Sequence, residues 1–262
     1  MSVLRRFVKA VLPPPATIRL RSAFKQHEPE RAMLPALCDP ARTGLDIGAA
    51  LGAYTWPLSR LCTDCIAFEP NPDQAAYLRR ALGSRARVEN VALSDRNGAV
   101  ELVVPLGRGD EQAGQATIAP GTWLEGRPVR RVLVLMHTLD SFSLPSVGFI
   151  KLDVEGHELA VLHGGSSLLA KDKPVILVEL EERFHTGNIA RVQELLTSLG
   201  YRGLYLDRGR LHDIVRFDPS LHQRIENWGS HSVYINNFIF IAHEALESTL
   251  RRIVRLGYAI DV

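Results

Sequence analysis

Short apolar runs alternate with stretches of helical period along most of this chain, and no other feature limits its fold so sharply. Residues 43–47, 64–69 and 87–93 read as strands. Residues 53–61 and 73–82 carry apolar side chains at helical spacing, and Gly83 stands where a helix C-cap is expected. A β-α-β-α-β order predicts a parallel sheet with helices on both faces. The alternation resumes with strands at 149–153 and 174–180 and helices at 158–169 and 189–199. The nearly continuous apolar run at 174–180 suits a strand buried on both faces. Residues 201–206 and 238–242 read as the last strands. In between, 98–104 and 128–136 are β-rich and flank a Gly-rich, small-polar stretch at 107–121. That stretch is either a lid or acceptor loop, or a mobile surface insertion.

A chain of 262 residues allows one large domain or two small ones. With no internal repeat and no low-complexity linker, one domain over 41–262 is expected, preceded by an arm over 1–40. Hydrophobic residues at 46% and charged residues at 23% exclude disordered, collagenous and coiled-coil classes. The formal charge of +2 gives no reason to expect a nucleic-acid partner. No run is long and apolar enough to span a membrane, and the N-terminus is too broken for a signal peptide. Arg5, Arg6, Lys9, Arg19, Arg21 and Lys25 make the arm basic and free of acids over 1–27. It reads as a solvated arm, with peripheral contact to an anionic surface as the sharper alternative. Three cysteines suit a reducing cytoplasm. Cys62 and Cys65 form a CxxC with no second ligand pair nearby, so they read as small residues at a helix–strand junction.

Three motifs carry chemistry. In Leu45-Asp-Ile-Gly-Ala-Ala-Leu-Gly-Ala53 a strand enters a glycine turn and then a helix, bringing backbone N–H groups close to a ligand. The spacing is Gly48-x-x-x-Gly52 rather than GxGxxG, and Asp46 stands at the turn. A carboxylate there would repel a pyrophosphate but suits a cation, as in the sulfonium and ammonium of S-adenosylmethionine. In Phe68-Glu-Pro-Asn-Pro72, Glu69 ends the second strand, where an acid can accept hydrogen bonds from ribose hydroxyls. In the third, Asp153, Glu155, His157 and Glu158 cluster between a strand and a helix, at the sheet edge where open α/β folds bind ligands. Some of these acids can instead cap the helix. His163 reads as a surface helix residue.

In this order LDIGAALGAYT, FEPNP, ENVALSD, TLDSF, IKLDVEGHELAVLHGG and PVILVEL resemble the FkbM family of S-adenosylmethionine-dependent methyltransferases, over roughly residues 44–242. The DVEG-x-E segment is the most specific part. The resemblance implies an α/β class I methyltransferase (Rossmann-like) fold: a seven-stranded, mostly parallel sheet with its last strand antiparallel and helices on both faces. It implies O-methylation of a small-molecule or glycan acceptor, with S-adenosyl-L-methionine as cofactor. By position, Asp46, Gly48, Gly52 and Tyr54 would meet the methionine half and Glu69 the ribose. Asn90, Ala92 and Asp95 would border the adenine. Asp153 would face the methyl group and Glu179 would be an acceptor-side acid. Ala50 departs from the family, which commonly has Asn there.

A hydroxyl needs help to lose its proton. Asp153 is the first candidate for base or orienter, His157 the second and Glu179 a further acid. Oxygen ligands on Asp153, Glu155 and Glu179 leave a divalent metal possible, but none is predicted. Two alternatives stand beside the enzyme reading: a binding protein that kept the fold without activity, and an NAD(P)-dependent oxidoreductase. The acceptor and the oligomeric state are unknown from sequence.

Overall fold

The computed structural model describes residues 17–18, 28–106, 115–119, 124–228 and 233–262. The basic residues of the arm and most of the 107–121 stretch lie outside these.

The main sheet has nine strands in the order β12-β10-β9-β11-β8-β7-β1-β2-β3. Its strands are β1 (Thr43–Ile47), β2 (Cys65–Phe68), β3 (Arg87–Glu89), β7 (Val147–Leu152), β8 (Val175–Glu179), β9 (Tyr201–Asp207), β10 (Arg210–Asp213), β11 (Asn237–Ala242) and β12 (Ala259–Asp261). The pairs of β1 with β2 and β7, of β2 with β3 and of β7 with β8 are all parallel. β11 runs antiparallel between β8 and β9. The expected seven strands, with one antiparallel, are therefore present. The sheet is larger because β10 returns antiparallel beside β9 and β12 adds to β10.

A second sheet orders β4 (Ala92–Leu93), β6 (Val129–His137) and β5 (Gly98–Pro105). This corrects the single strand expected over 87–93. The chain leaves the main sheet at Asn90, whose amide donates to the carbonyls of Glu69 at 2.8 Å and Pro70 at 2.9 Å.

The local causes are readable at the helix Pro72–Leu82. Asn71 caps it by accepting from the Asp73 N–H, Pro72 fills its first position, and Gly83 ends it at φ +58°. Loss of such a cap costs about 1 kcal/mol. The helix expected over 158–169 is in fact two, Glu158–Gly164 and Ser166–Asp172. Gly164 lies against the backbone of Ser94, where an added Cβ would stand 1.9 Å from the carbonyl oxygen.

Each face of the sheet buries its own core. Leu58, Leu78 and Ile253 cover one face, against Phe149, Leu177 and Leu204. Val161, Leu169 and Leu196 cover the other, against Leu45, Ile150 and Ile176. Met33, Leu34 and Leu37 are also buried in the first core, so the segment before β1 packs onto the sheet. Cys62 ends the helix Thr55–Leu61 and Cys65 opens β2, both as free thiols.

Candidate active site

The parallel strands β1, β2 and β7 end along one edge, and a cleft opens there. Gly48, Glu69, Ala92, Asp153 and His157 line it together. The turn after β1 makes this approach possible. Gly48 has φ +81°, and a Cβ there would stand 1.7 Å from the Asp153 carbonyl oxygen, so only glycine lets β1 and β7 come this close. Gly48 and Ala49 donate to the Phe68 carbonyl at 3.0 and 3.2 Å. Gly52, at φ +80°, is closed in by Ile18 and Leu78 and stands behind the cleft.

Glu69 is almost fully buried at the end of β2. Its Oε1 accepts from the Asn71 N–H at 2.8 Å and its Oε2 from the Ala50 N–H at 2.6 Å. Burial pushes its carboxyl up to about 7, against these two bonds. Each oxygen keeps a further lone pair, so a fixed acceptor pair remains for hydroxyl donors in the cleft.

Asp46 is not free at the turn. It is buried, and the Thr55 hydroxyl donates to its Oδ2 at 2.5 Å, tying β1 to the helix Thr55–Leu61. Burial raises it to about 6. The Tyr54 hydroxyl donates to Glu28 Oε2 at 2.6 Å, and Lys151 Nζ lies 5.1 Å from its ring centroid. Asn90 holds the Glu69–Pro70 backbone and supports the cleft from behind.

The four groups clustered in sequence after β7 separate in space. Asp153 turns into the cleft with a third of its side chain exposed. Glu155 takes a left-handed φ of +54° and points toward Arg183, 3.8 Å away. His157 stands on the β4 side, its Nε2 2.9 Å from Ser94 Oγ, and burial lowers its pKa. Glu158 is a buried acid at the first position of its helix: Oε1 accepts from the Gly156 N–H at 2.9 Å and Oε2 from the Asn188 amide at 3.3 Å. His163 is exposed, as read from sequence. Glu179 ends β8, and its Oε1 accepts from the Asn236 amide at 2.6 Å. Burial pushes the Glu179 carboxyl well above the ordinary range, with Asp153 next in effect. Among the described residues, no group of three His, Cys, Asp or Glu side chains is placed to hold a metal.

Sequence reading missed several groups. Lys151 lies buried beside Asp153 and Glu179, and the signal was a lysine inside an apolar strand run. Glu181 pairs with Arg183 and accepts from the Tyr234 hydroxyl at 2.7 Å. Thr117 belongs to the 107–121 stretch. It exchanges backbone bonds with Val103, and its hydroxyl donates to the Glu155 carbonyl at 2.8 Å. Residues 116–118 thereby form a wall of the cleft. Among the described residues, no helix is long and apolar enough to cross a membrane.

A family model for the methyltransferase FkbM domain matches residues 46–202. In sequence the chain is similar to the 2-O-methyltransferase NoeI of Sinorhizobium fredii, 28% identical over 201 residues, or 71% of this chain and 79% of that protein. In structure it is similar to the methyltransferase FkbM from Methylobacillus flagellatus, with a TM-score of 0.50 and 13% identity over 77% of this chain. This chain spans 44% of that solved chain, and the likeness speaks for the fold alone.

Proposed function

The chain belongs to the FkbM methyltransferase family, and we propose that it moves a methyl group from S-adenosylmethionine to a hydroxyl of a small molecule or glycan. One observation carries this reading: Glu69 and Asp153 face one cleft across the Gly48 turn. When bound, S-adenosylmethionine supplies an electrophilic methyl group on a positively charged sulfur.

The residues present fit that ligand. Val91, Leu93, Leu102 and Ile118 give an apolar slot for a flat ring. Glu69, anchored by two backbone N–H groups, offers two fixed acceptors to a vicinal diol. The Asp153 carboxylate stands where a cation is favoured. A pyrophosphate at the same turn would meet both Glu69 and Asp153, which weighs against the nicotinamide alternative.

Methyl transfer asks the protein mainly for positioning and for a proton acceptor. Asp153, at the cleft wall, is placed to orient an incoming hydroxyl. Glu179 ends β8 with its Oε2 4.0 Å from Lys151 Nζ, and it is a further acid for the acceptor side. His157 sits with Ser94 on the slot side, so its part is to shape the cofactor wall rather than to take the acceptor proton. The name of the 2-O-methyltransferase relative supports oxygen as the target atom.

The test is transfer of label from methyl-labelled S-adenosylmethionine to glycan or cell-envelope extracts. Wild type should label a component that Asp153→Ala leaves unlabelled. Equal labelling by both chains would remove Asp153 from the account. Binding of S-adenosylmethionine with no labelling of any acceptor would favour the non-catalytic reading.

A further inference from the structure

Lys151 carries a charge that the cofactor reading leaves unused. It sits in β7 between Ile150 and Leu152, and its side chain is 1% exposed. Nζ donates to Asn237 Oδ1 at 3.2 Å. It lies 4.0 Å from Asp153 Oδ2 and 4.0 Å from Glu179 Oε2. The Tyr54 ring covers another side. Asp46 on β1 and Glu28 and Glu30 before the sheet complete the charges around it.

A buried ammonium costs several kcal/mol unless opposite charges and hydrogen bonds offset it. Here the offset comes from the two acids best placed for the reaction. Lys151 Nζ lies 4.0 Å from a carboxylate oxygen of each, and the two come from different places in the sheet, Asp153 just after β7 and Glu179 at the end of β8. Its burial removes it from contact with an acceptor, so it does not serve as the base.

We propose that Lys151 is a positioning residue: its ammonium fixes the Asp153 and Glu179 carboxylates on either side of the reacting centre and sets the charge that a bound sulfonium meets. The acids around Lys151 outnumber its one ammonium, which leaves a negative balance. That balance favours a cationic ligand over its neutral thioether product without trapping the cation. The inference rests on the cleft being an S-adenosylmethionine site.

The experiment compares dissociation constants for S-adenosylmethionine and S-adenosylhomocysteine by calorimetry. It uses wild type, Lys151→Met, Lys151→Arg and the double variant Lys151→Met/Glu179→Gln, all at one pH. A merely structural role moves both affinities together. Removing the ammonium should instead raise the preference for the cation on the order of fivefold or more. Lys151→Arg should stay within about twofold of wild type, because the charge remains. The double variant removes one carboxylate with the ammonium, so it should melt above Lys151→Met and return the preference to near wild type. If Lys151→Met fails to fold, Glu179→Gln alone carries the test: it removes one carboxylate and leaves the ammonium, so it should lower the preference for the cation, and an unchanged preference overturns the inference. An unchanged preference in folded Lys151→Met, or a double variant no more stable than the single one, overturns the inference. Wild type binding neither ligand overturns the cofactor reading itself.

Discussion

Ala50 donates its N–H to Glu69 Oε2 at 2.6 Å while its own backbone sits at φ +46°. The turn that aims this N–H at the carboxylate therefore demands a conformation that alanine resists. The left-handed region costs a non-glycine residue roughly 1–2 kcal/mol, less for Asn, whose short side chain bonds locally. The family resemblance places Asn at this position. Ala50→Asn should stabilise the fold by up to about 1 kcal/mol in chemical denaturation. Ala50→Gly should gain less, because the unfolded chain also becomes freer. A loss above about 1 kcal/mol for Asn would contradict this account of the turn.

Gly48 and Gly83 share a positive φ but differ in what surrounds them. A Cβ on Gly48 meets the Asp153 carbonyl at 1.7 Å, whereas one on Gly83 meets nothing within 4 Å. Gly83→Ala should cost only the backbone penalty of its φ +58°, ψ −129° conformation, about 1–3 kcal/mol. Gly48→Ala should cost about 3 kcal/mol or more and also disturb the cleft, since β7 must move away from β1. Paired thermal melts decide it, and equal costs would mean that the close approach is unimportant.

Stability should fall as pH rises through neutrality. Burial pushes Glu158 up to about 7 from 4.5, so the folded chain holds this proton more tightly than the unfolded one. The stabilising contribution is full below about pH 4.5 and lost as pH rises through about 7. Glu69 and Glu30, also raised to about 7 by burial, act in the same window. Glu158→Gln keeps an oxygen acceptor for the Gly156 N–H and should remove part of the slope, up to roughly 3 kcal/mol between pH 5 and 8. An unaltered slope would place the titration elsewhere.

The alternation of strands and helices was legible because strands covered on both faces read as apolar runs bounded by Gly and Pro. Glu69 and Asp153 were legible because each ends such a run. The order of the acids after β7 was not, because it depends on backbone angles. Glu155 at φ +54° and Gly156 at φ +98° turn one carboxylate toward Arg183, and Glu158 folds back onto the Gly156 N–H. The bond that Asp46 accepts from Thr55 was not legible, because helical spacing alone does not reveal that partner. Lys151 was hidden for a related reason: its partners Glu179 and Asn237 come from β8 and β11, which only the sheet brings beside β7 and the Asp153 that follows it. β10 and β12 escaped because strands of four and three residues are too short for a period to show.

The cleft reading makes its strongest commitment at Glu69, and calorimetric titration with S-adenosylmethionine tests that most directly. Wild type should bind, and Glu69→Ala should bind at least about tenfold more weakly, a loss of about 1.4 kcal/mol, while remaining folded. No heat from wild type at millimolar ligand, or full affinity in a folded Glu69→Ala chain, would contradict it.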